Sequence, residues 1–263
     1  GSKTVKQVEK YPARKGNATQ KLLIDTFGFE SVDIPNSRKS TLNSVYDFMM
    51  EMSKMLGISP KSIGQGGWLS VSSLRSNSHF AAVHEMSSYK ISGKIVNVSL
   101  KFKYSALTGI AHEWFHALDY ALEYFDTGIR RDTASEIDRS QFSGRPEVWD
   151  AVSEIVKAIS ESGHPERIKS LTSPSKWSYW LSPKEMCARA FDAYINNKFK
   201  EAGIEVEGVI NDIETGNPTP EEMVNVIPAF DNLFRILQEK EGKTPGTSVL
   251  YQIGEEMEPQ SDA

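Results

Sequence analysis

Two of the five histidines in this 263-residue chain lie four residues apart, in the segment A-H-E-W-F-H-A-L-D at residues 111–119. On a helix, His112 and His116 would be only about 40° apart around the axis, so both imidazoles could bind one metal ion. Glu113 would lie about 100° from His112, beside the metal, where a general base takes a proton from a zinc-bound water. The spacing H-E-x-x-H therefore predicts a zinc site that hydrolyses peptide bonds. The alternative is a buried helix whose two histidines are satisfied by ordinary hydrogen bonds.

A hydrolytic zinc site needs a third protein ligand and one open position. The metzincin pattern would place glycine at 119 and histidine at 122, and it is excluded because the chain has Asp119 and Leu122 there. Two candidates are left, Asp119 on the same helix and Glu185 in a later segment. Ligands from two helices surround an ion more evenly than three from one helix, which favours Glu185. Asp119 would then hold the second ring nitrogen of a histidine in place.

Other polar residues near Glu185 are candidates for supporting roles. Glu185 itself could be a capping-box residue that only contacts its own helix, since Ser182 is a suitable cap three residues earlier. Asp192, two turns further along the same helix face, could approach the site or be a solvated surface charge. The reaction also needs a donor for the oxyanion, and the candidates are Tyr179, Arg189 and Tyr194. Core packing or a helix-surface ion pair is the simpler explanation for each of these three residues taken singly.

Helical periodicity predicts the elements that carry these residues. Apolar residues recur at helical spacing over 42–56, and Gly57 supplies a stop. The H-E-x-x-H segment lies in a predicted buried helix over 105–125. Further helices are predicted to begin at Pro146, at Pro183 and at the cap residue Thr219, the last running toward residue 240.

Short β-prone runs at 80–86 and 94–100 predict two strands joined by a turn. The second run would lie near the cleft, with an exposed edge that holds an extended substrate by main-chain pairing. The polar segment 126–146 predicts a long surface loop, and His164 is expected in a surface turn. The chain thus predicts an α+β fold, a small sheet with predominantly helical packing around the H-E-x-x-H helix.

Composition limits the environment and the partners. Hydrophobic residues at 39% and charged residues at 25% are typical of a globular protein that is soluble in water. The net charge of −5 gives no general affinity for nucleic acid or anionic lipid, and no apolar run reaches the length of a membrane span. We therefore predict neither a specific nucleic-acid partner nor a membrane. A single cysteine, Cys187, favours a reducing compartment, the cytoplasm, and is expected to be a buried structural thiol.

The order of several motifs resembles a known family. These are F-G-F at 27–29, L-N-x-x-Y-D at 42–47, A-H-E-W-x-H-A-L-D at 111–119 and A-R-A-F at 188–191, followed by Asp192 where the family usually has glutamate. The pattern is similar to the zincin-like domain of large polyvalent proteins of phages and other mobile elements, the first type of that series of associated domains. Two departures stand out. Phe115 replaces a glycine and would narrow the cleft, and residues 73–76 replace a G-A-R-G loop, which would alter substrate access.

The resemblance implies a zincin-like zinc metallopeptidase that acts on a protein or peptide substrate. It also implies that the chain is part of a larger multidomain protein, delivered with element DNA into a bacterial cell. The expected division is a flexible segment over 1–19 that begins with a cloning scar, a zincin-like domain over 20–240, and a disordered tail or linker over 241–263. Two alternatives are open: a zinc-containing protein-binding module without turnover, and an interaction domain that needs no metal.

Overall fold

The computed structural model describes residues 10–73, 82–88, 95–102, 109–127, 133–142, 144–207 and 216–238. Among these residues helices predominate and four strands form one small sheet, so the predicted α+β class is confirmed. The helices are α1 (Gln20–Phe27), α2 (Lys39–Leu56), α3 (Ile110–Thr127), α4 (Pro146–Ser160), α5 (His164–Leu171), α6 (Trp177–Trp180), α7 (Pro183–Ala202) and α8 (Val226–Gln238). The strands are β1 (Ser31–Asp33), β2 (Leu69–Ser73), β3 (Ala82–Ser88) and β4 (Ile95–Phe102).

The sheet has the strand order β1-β2-β4-β3. β1 and β2 are parallel, β2 and β4 are parallel, and β3 runs antiparallel to β4. Leu100 of β4 is opposite Val71 on one side and His84 on the other. The two predicted strands are confirmed, but the expected exposed edge of the second is wrong, because β4 is paired on both sides. Within the described part of the chain, β3 is the strand at that edge of the sheet.

Helix α3 carries H-E-x-x-H through the core, packed against β3, β4 and α7. The Trp114 side chain is buried and donates a hydrogen bond from Nε1 to the carbonyl of Ile63 at 2.8 Å. Phe115 is also buried, stacked 5.1 Å from the ring of Phe191 and edge-on to Phe230 at 5.7 Å. The residue that was expected to narrow the cleft therefore fills the core. The burial of Trp114 and Phe115 fixes the rotation of α3 about its own axis. This rotation sets the direction in which the face shared by His112 and His116 points.

Most predicted helix boundaries are confirmed. α2 ends at Gly57, which has the left-handed conformation (φ 66°), and α4 and α7 begin at Pro146 and Pro183. The predicted start of the last helix is wrong. Thr219 and Glu222 do exchange capping contacts, at 2.9 and 3.3 Å, but α8 begins only at Val226.

Two segments that were expected at the surface are buried in part. Within the described residues of the predicted 126–146 loop, Thr133, Ala134 and Ile137 are buried, and the Ala134 amide donates to the Asp119 carbonyl at 2.9 Å. His164 begins α5 and is fully buried, with Nε2 2.8 Å from the carbonyl oxygen of Gly216. The surface-loop prediction is therefore wrong at Thr133, Ala134 and Ile137, and residues 128–132 and 143 lie outside the described part of the chain. The surface-turn prediction for His164 is wrong.

The beginning of the described chain is bound to α2. The Tyr46 hydroxyl donates to the carbonyl of Pro12 at 3.0 Å, and Arg14 pairs with Asp47 at 3.2 Å. Residues 10–19 of the predicted flexible segment are therefore held by the fold. The predicted tail at 241–263 lies outside the described residues, and the division of the chain into segments stays a prediction. None of the described helices is long and apolar enough to cross a bilayer.

Candidate metal centre

Helices α3 and α7 bring three potential metal ligands together. The Nε2 atoms of His112 and His116 are 3.1 Å apart. Glu185, in the first turn of α7, has Oε2 3.0 Å from His116 Nε2 and Oε1 3.4 Å from His112 Nε2. Among the described residues, these three form the group of histidine, cysteine or carboxylate side chains that could hold a metal ion. The sequence-based preference for Glu185 over Asp119 agrees with this geometry.

The spacing of these atoms fits a zinc ion. Zinc binds imidazole nitrogen and carboxylate oxygen at about 2.0–2.2 Å, so two ligands of a tetrahedral ion lie about 3.3–3.6 Å apart. The two imidazole Nε2 atoms are 3.1 Å apart, His116 Nε2 is 3.0 Å from Glu185 Oε2, and His112 Nε2 is 3.4 Å from the other carboxylate oxygen, Oε1. Each of these distances differs from that range by a few tenths of an ångström at most, and one ligand atom from each residue can be chosen so that all three lie within 4.8 Å of one another. The donor set, two imidazoles and one carboxylate, is one that zinc uses in hydrolytic sites. The residues present therefore fit the metal.

The electrostatics of the cluster keep Glu185 ionised. Burial raises the pKa of this carboxyl, but the hydrogen bonds and charges of His112 and His116 lower it by more, so the pKa lies well below its usual range. For His112, burial lowers the pKa, and the hydrogen bond and charge of Glu185 outweigh that effect and raise it. An anionic carboxylate is the state that binds a metal. Protons on the histidines compete with the metal, so metal affinity should rise with pH.

Glu185 does not act as a capping residue. The Ser182 hydroxyl donates to the Tyr179 carbonyl at 2.9 Å and makes no cap hydrogen bond to α7. The Glu185 side chain instead turns toward α3 and is only 3% exposed. The capping-box interpretation of Glu185 is therefore wrong, because contacts with another helix determine its orientation.

Glu113 lies beside the cluster and is not among the three residues that could together hold a metal ion. Its Oε1 is 3.9 Å from His112 Nε2, and its side chain retains 14% exposure. This is the position that the helical geometry predicts for a residue about 100° from His112. The carboxylate is close enough to share a water molecule with the cluster, and its catalytic role stays a prediction.

Two of the three candidate oxyanion donors contact Glu185. The Tyr179 hydroxyl donates to Glu185 Oε1 at 3.1 Å, and the residue is 55% exposed. Arg189 Nε is 2.9 Å from the same oxygen, an ion pair without the alignment of a hydrogen bond. Glu185 Oε1 thus has a tyrosine and an arginine next to it, in addition to His112 Nε2 at 3.4 Å, while Oε2 lies close to His116.

The prediction that Tyr194 could be an oxyanion donor is wrong. Nine residues along a helix correspond to about 180° of rotation, so Tyr194 lies on the opposite face of α7 from Glu185. Its side chain is buried, and its hydroxyl donates to Asp231. Burial and the neighbouring Asp231 carboxylate raise the pKa of this tyrosine.

The two aspartates that were considered as ligands or supports have other partners. Asp119 is fully buried and accepts hydrogen bonds from the Ser135 amide at 2.8 Å and from the Ser135 hydroxyl. Asp192 accepts from Asn217 Nδ2 at 2.8 Å. Asp119 therefore ties the segment after α3 to the helix, and the structure does not bring it into the ligand cluster.

Sequence reasoning missed two residues that lie next to this site. The ring of Trp180 stacks on the Arg189 guanidinium at 3.9 Å, and Gly216 lies against both side chains. A tryptophan five residues before a candidate ligand was an available signal. No signal in the sequence indicated Gly216, because its contact with Trp180 and Arg189 depends on how a distant segment of the chain packs on α7.

Asp119 predicts a pH dependence of stability. Burial raises its pKa from 3.8 to about 7, although hydrogen bonds from Ser135 and Thr133 oppose the shift. The folded protein therefore binds this proton more tightly than the unfolded chain, so the contribution of Asp119 to stability falls as pH rises from 3.8 to about 7. Asp119→Asn removes the titration. The wild type should lose stability relative to this variant by up to ~1.4 kcal/mol per pH unit in that window, measured by urea unfolding. A difference that stays constant across the window would contradict this.

Residues 171–241 match the family model of large polyvalent protein-associated domain 1. The matched segment contains α6, α7 and α8, and so includes Glu185 and the A-R-A-F motif, but it does not include α3. The match supports the family name that the motifs suggested. That name describes a domain associated with large polyvalent proteins, in agreement with a chain that forms part of a larger protein. No curated protein and no solved structure matches the chain.

Proposed function

We propose that this protein is a zinc-dependent peptidase of the zincin type. The observation that carries the proposal is the cluster of His112, His116 and Glu185, in which the imidazole Nε2 atoms lie 3.1 Å apart and each is 3.0–3.4 Å from one of the two Glu185 carboxylate oxygens, a spacing that suits one zinc ion. The H-E-x-x-H order adds Glu113, a carboxylate that a purely structural site does not need. The match to a polyvalent-protein domain supports a setting in a large polyvalent protein, which we take to be one of a phage or mobile element. We further propose that the protein acts in a bacterial cytoplasm.

Each residue has a distinct role in the proposed reaction. A zinc ion held by the three ligands would polarise a peptide carbonyl and lower the pKa of a water to about 7. Glu113, at the side of the cluster, takes the proton from the attacking water and passes it to the amine that leaves. The half-exposed Tyr179 is free enough to turn its hydroxyl from Glu185 to the carbonyl oxygen of the substrate.

The proposed substrate is an extended peptide that pairs with β3. This strand, and not β4, lies at the edge of the described sheet, and α3 packs against it. An extended chain that pairs with an edge strand receives main-chain hydrogen bonds that do not depend on its sequence. Pairing with β3 would place a peptide bond next to the helix that carries His112 and Glu113.

Cleavage of a mixed peptide library tests the proposal. The zinc-loaded wild type should generate new peptide termini, a chelator should abolish them, and added zinc should restore them, with products read by mass spectrometry. Protein that holds one zinc per chain and leaves every peptide intact would contradict the peptidase proposal and favour the zinc-containing binding module.

A further inference from the structure

Arg189 is held in one orientation beside the candidate ligand Glu185. It lies one helical turn after Glu185 on α7, is only 7% exposed, and places Nε 2.9 Å from Oε1. The indole of Trp180 covers its guanidinium at 3.9 Å from the ring centroid. An arginine enclosed in this way cannot reach a substrate carbonyl without leaving both partners, which argues against the oxyanion role that the sequence suggested.

Gly216 lies against both the Trp180 ring and the Arg189 guanidinium. A Cβ atom at residue 216 would lie 2.1 Å from Cζ3 of Trp180, 2.8 Å from Cη2 of the same ring and 3.0 Å from Nη1 of Arg189. Contacts below 3 Å between non-bonded heavy atoms are strongly repulsive, so any side chain at this position displaces the indole or the guanidinium. The backbone at Gly216 is also held by the His164 ring, whose Nε2 lies 2.8 Å from the Gly216 carbonyl oxygen.

We propose that Arg189, enclosed by Trp180 and Gly216, is a positioning residue that orients the Glu185 carboxylate for metal binding. It lies beside Oε1, the oxygen that is also 3.4 Å from His112 Nε2, and it thereby holds the carboxylate with Oε2 facing His116 at 3.0 Å. The inference rests on the proposed zinc site. Replacement of a residue that orients a metal ligand typically lowers metal affinity or activity by about 10–100-fold.

The shape of the guanidinium, and not only its charge, is what this role requires. A planar guanidinium can stack on an indole while its edge faces a carboxylate, whereas a lysine ammonium keeps the charge and loses the stacking plane. Arg189→Lys therefore separates orientation from electrostatics. Gly216→Ala disturbs the same unit from a different segment while residue 189 is still an arginine.

Zinc affinity, measured by competition with a chelating indicator, tests the proposal. We expect Arg189→Lys and Gly216→Ala each to weaken zinc binding about 10-fold or more. The double variant should lose little more than either single variant, because both changes release the same carboxylate. Trp180→Phe removes the ring atoms nearest residue 216, so adding it to Gly216→Ala should restore part of the affinity if the alanine acts through the indole. The visible spectrum of bound Co²⁺, which reports coordination geometry, should change in the two single variants.

Arg139→Lys is the matched control, because Arg139 pairs with the Asp150 carboxylate at 2.9 Å on the exposed surface. It should leave the zinc affinity and the Co²⁺ spectrum unchanged. Wild-type affinity in Arg189→Lys, or losses that multiply in the double variant, would overturn the proposal. A wild type that binds zinc but cleaves nothing would refute the peptidase and leave this inference standing, whereas a wild type that binds no zinc would refute both.

Discussion

Replacing Glu113 by glutamine is expected to lower kcat for peptide cleavage by about 10²–10⁴-fold, the usual contribution of a general base. Glutamine has nearly the same shape as glutamate but cannot accept the proton of the attacking water. Zinc content should not change, because Glu113 lies beside the cluster, with Oε1 3.9 Å from His112 Nε2. The measurement is kcat for a peptide selected from the library, together with the zinc content of the same sample.

The matched control is Glu154→Gln on α4, which makes the same chemical change at an exposed position. It should retain full activity and full zinc content. A Glu113→Gln protein that binds zinc and cleaves at the wild-type rate would refute the proposed mechanism. Loss of zinc in this variant would instead show that Glu113 is a ligand.

Removal of the Glu185 carboxylate should have an equally large effect on metal binding. Glu185→Gln is expected to weaken zinc binding by more than about 100-fold. The loss of a metal ligand should have a larger effect than the replacement of a residue that supports a ligand, which lowers affinity by about 10–100-fold. The neutral amide loses the anionic oxygen that lies 3.0 Å from His116 Nε2, and it also loses the charge that pairs with Arg189. Competition with a chelating indicator measures the change.

Asp119→Asn provides the comparison for Glu185→Gln. Both variants replace a buried carboxylate by an amide, but Asp119 is bound to Ser135 and lies outside the cluster. Asp119→Asn should therefore keep wild-type zinc affinity. The reverse pattern, with zinc lost in Asp119→Asn and kept in Glu185→Gln, would identify Asp119 as the third ligand.

The sequence predicted features of the site that depend on spacing within one helix. The shared face of His112 and His116 and the lateral position of Glu113 follow from about 100° of rotation per residue. The same rotation should have excluded Tyr194, which lies about 180° from Glu185 on α7. The Glu185 contact crosses between helices and was predicted from the coordination geometry that zinc prefers, because periodicity alone could not pair α3 with α7.

Features that depend on distant segments were not predictable from local pattern. The order of the strands in the sheet places β4 in the interior and β3 at the edge. The alternation of apolar and polar residues along one strand gives no information about that order. Glu222 forms the expected contacts with Thr219, but it also pairs with Arg167 at 2.8 Å, and α8 begins only at Val226. Local signals therefore located most elements correctly, and tertiary contacts changed their ends and their neighbours.

We propose above that His112 and His116 bind one zinc ion together with Glu185. The most direct test is the zinc content of purified wild type beside the His112→Ala/His116→Ala double variant, both prepared without chelator, supplemented with zinc and desalted. We predict one zinc per chain in the wild type and none in the variant. No zinc in the wild type, or equal zinc in both proteins, would contradict the claim.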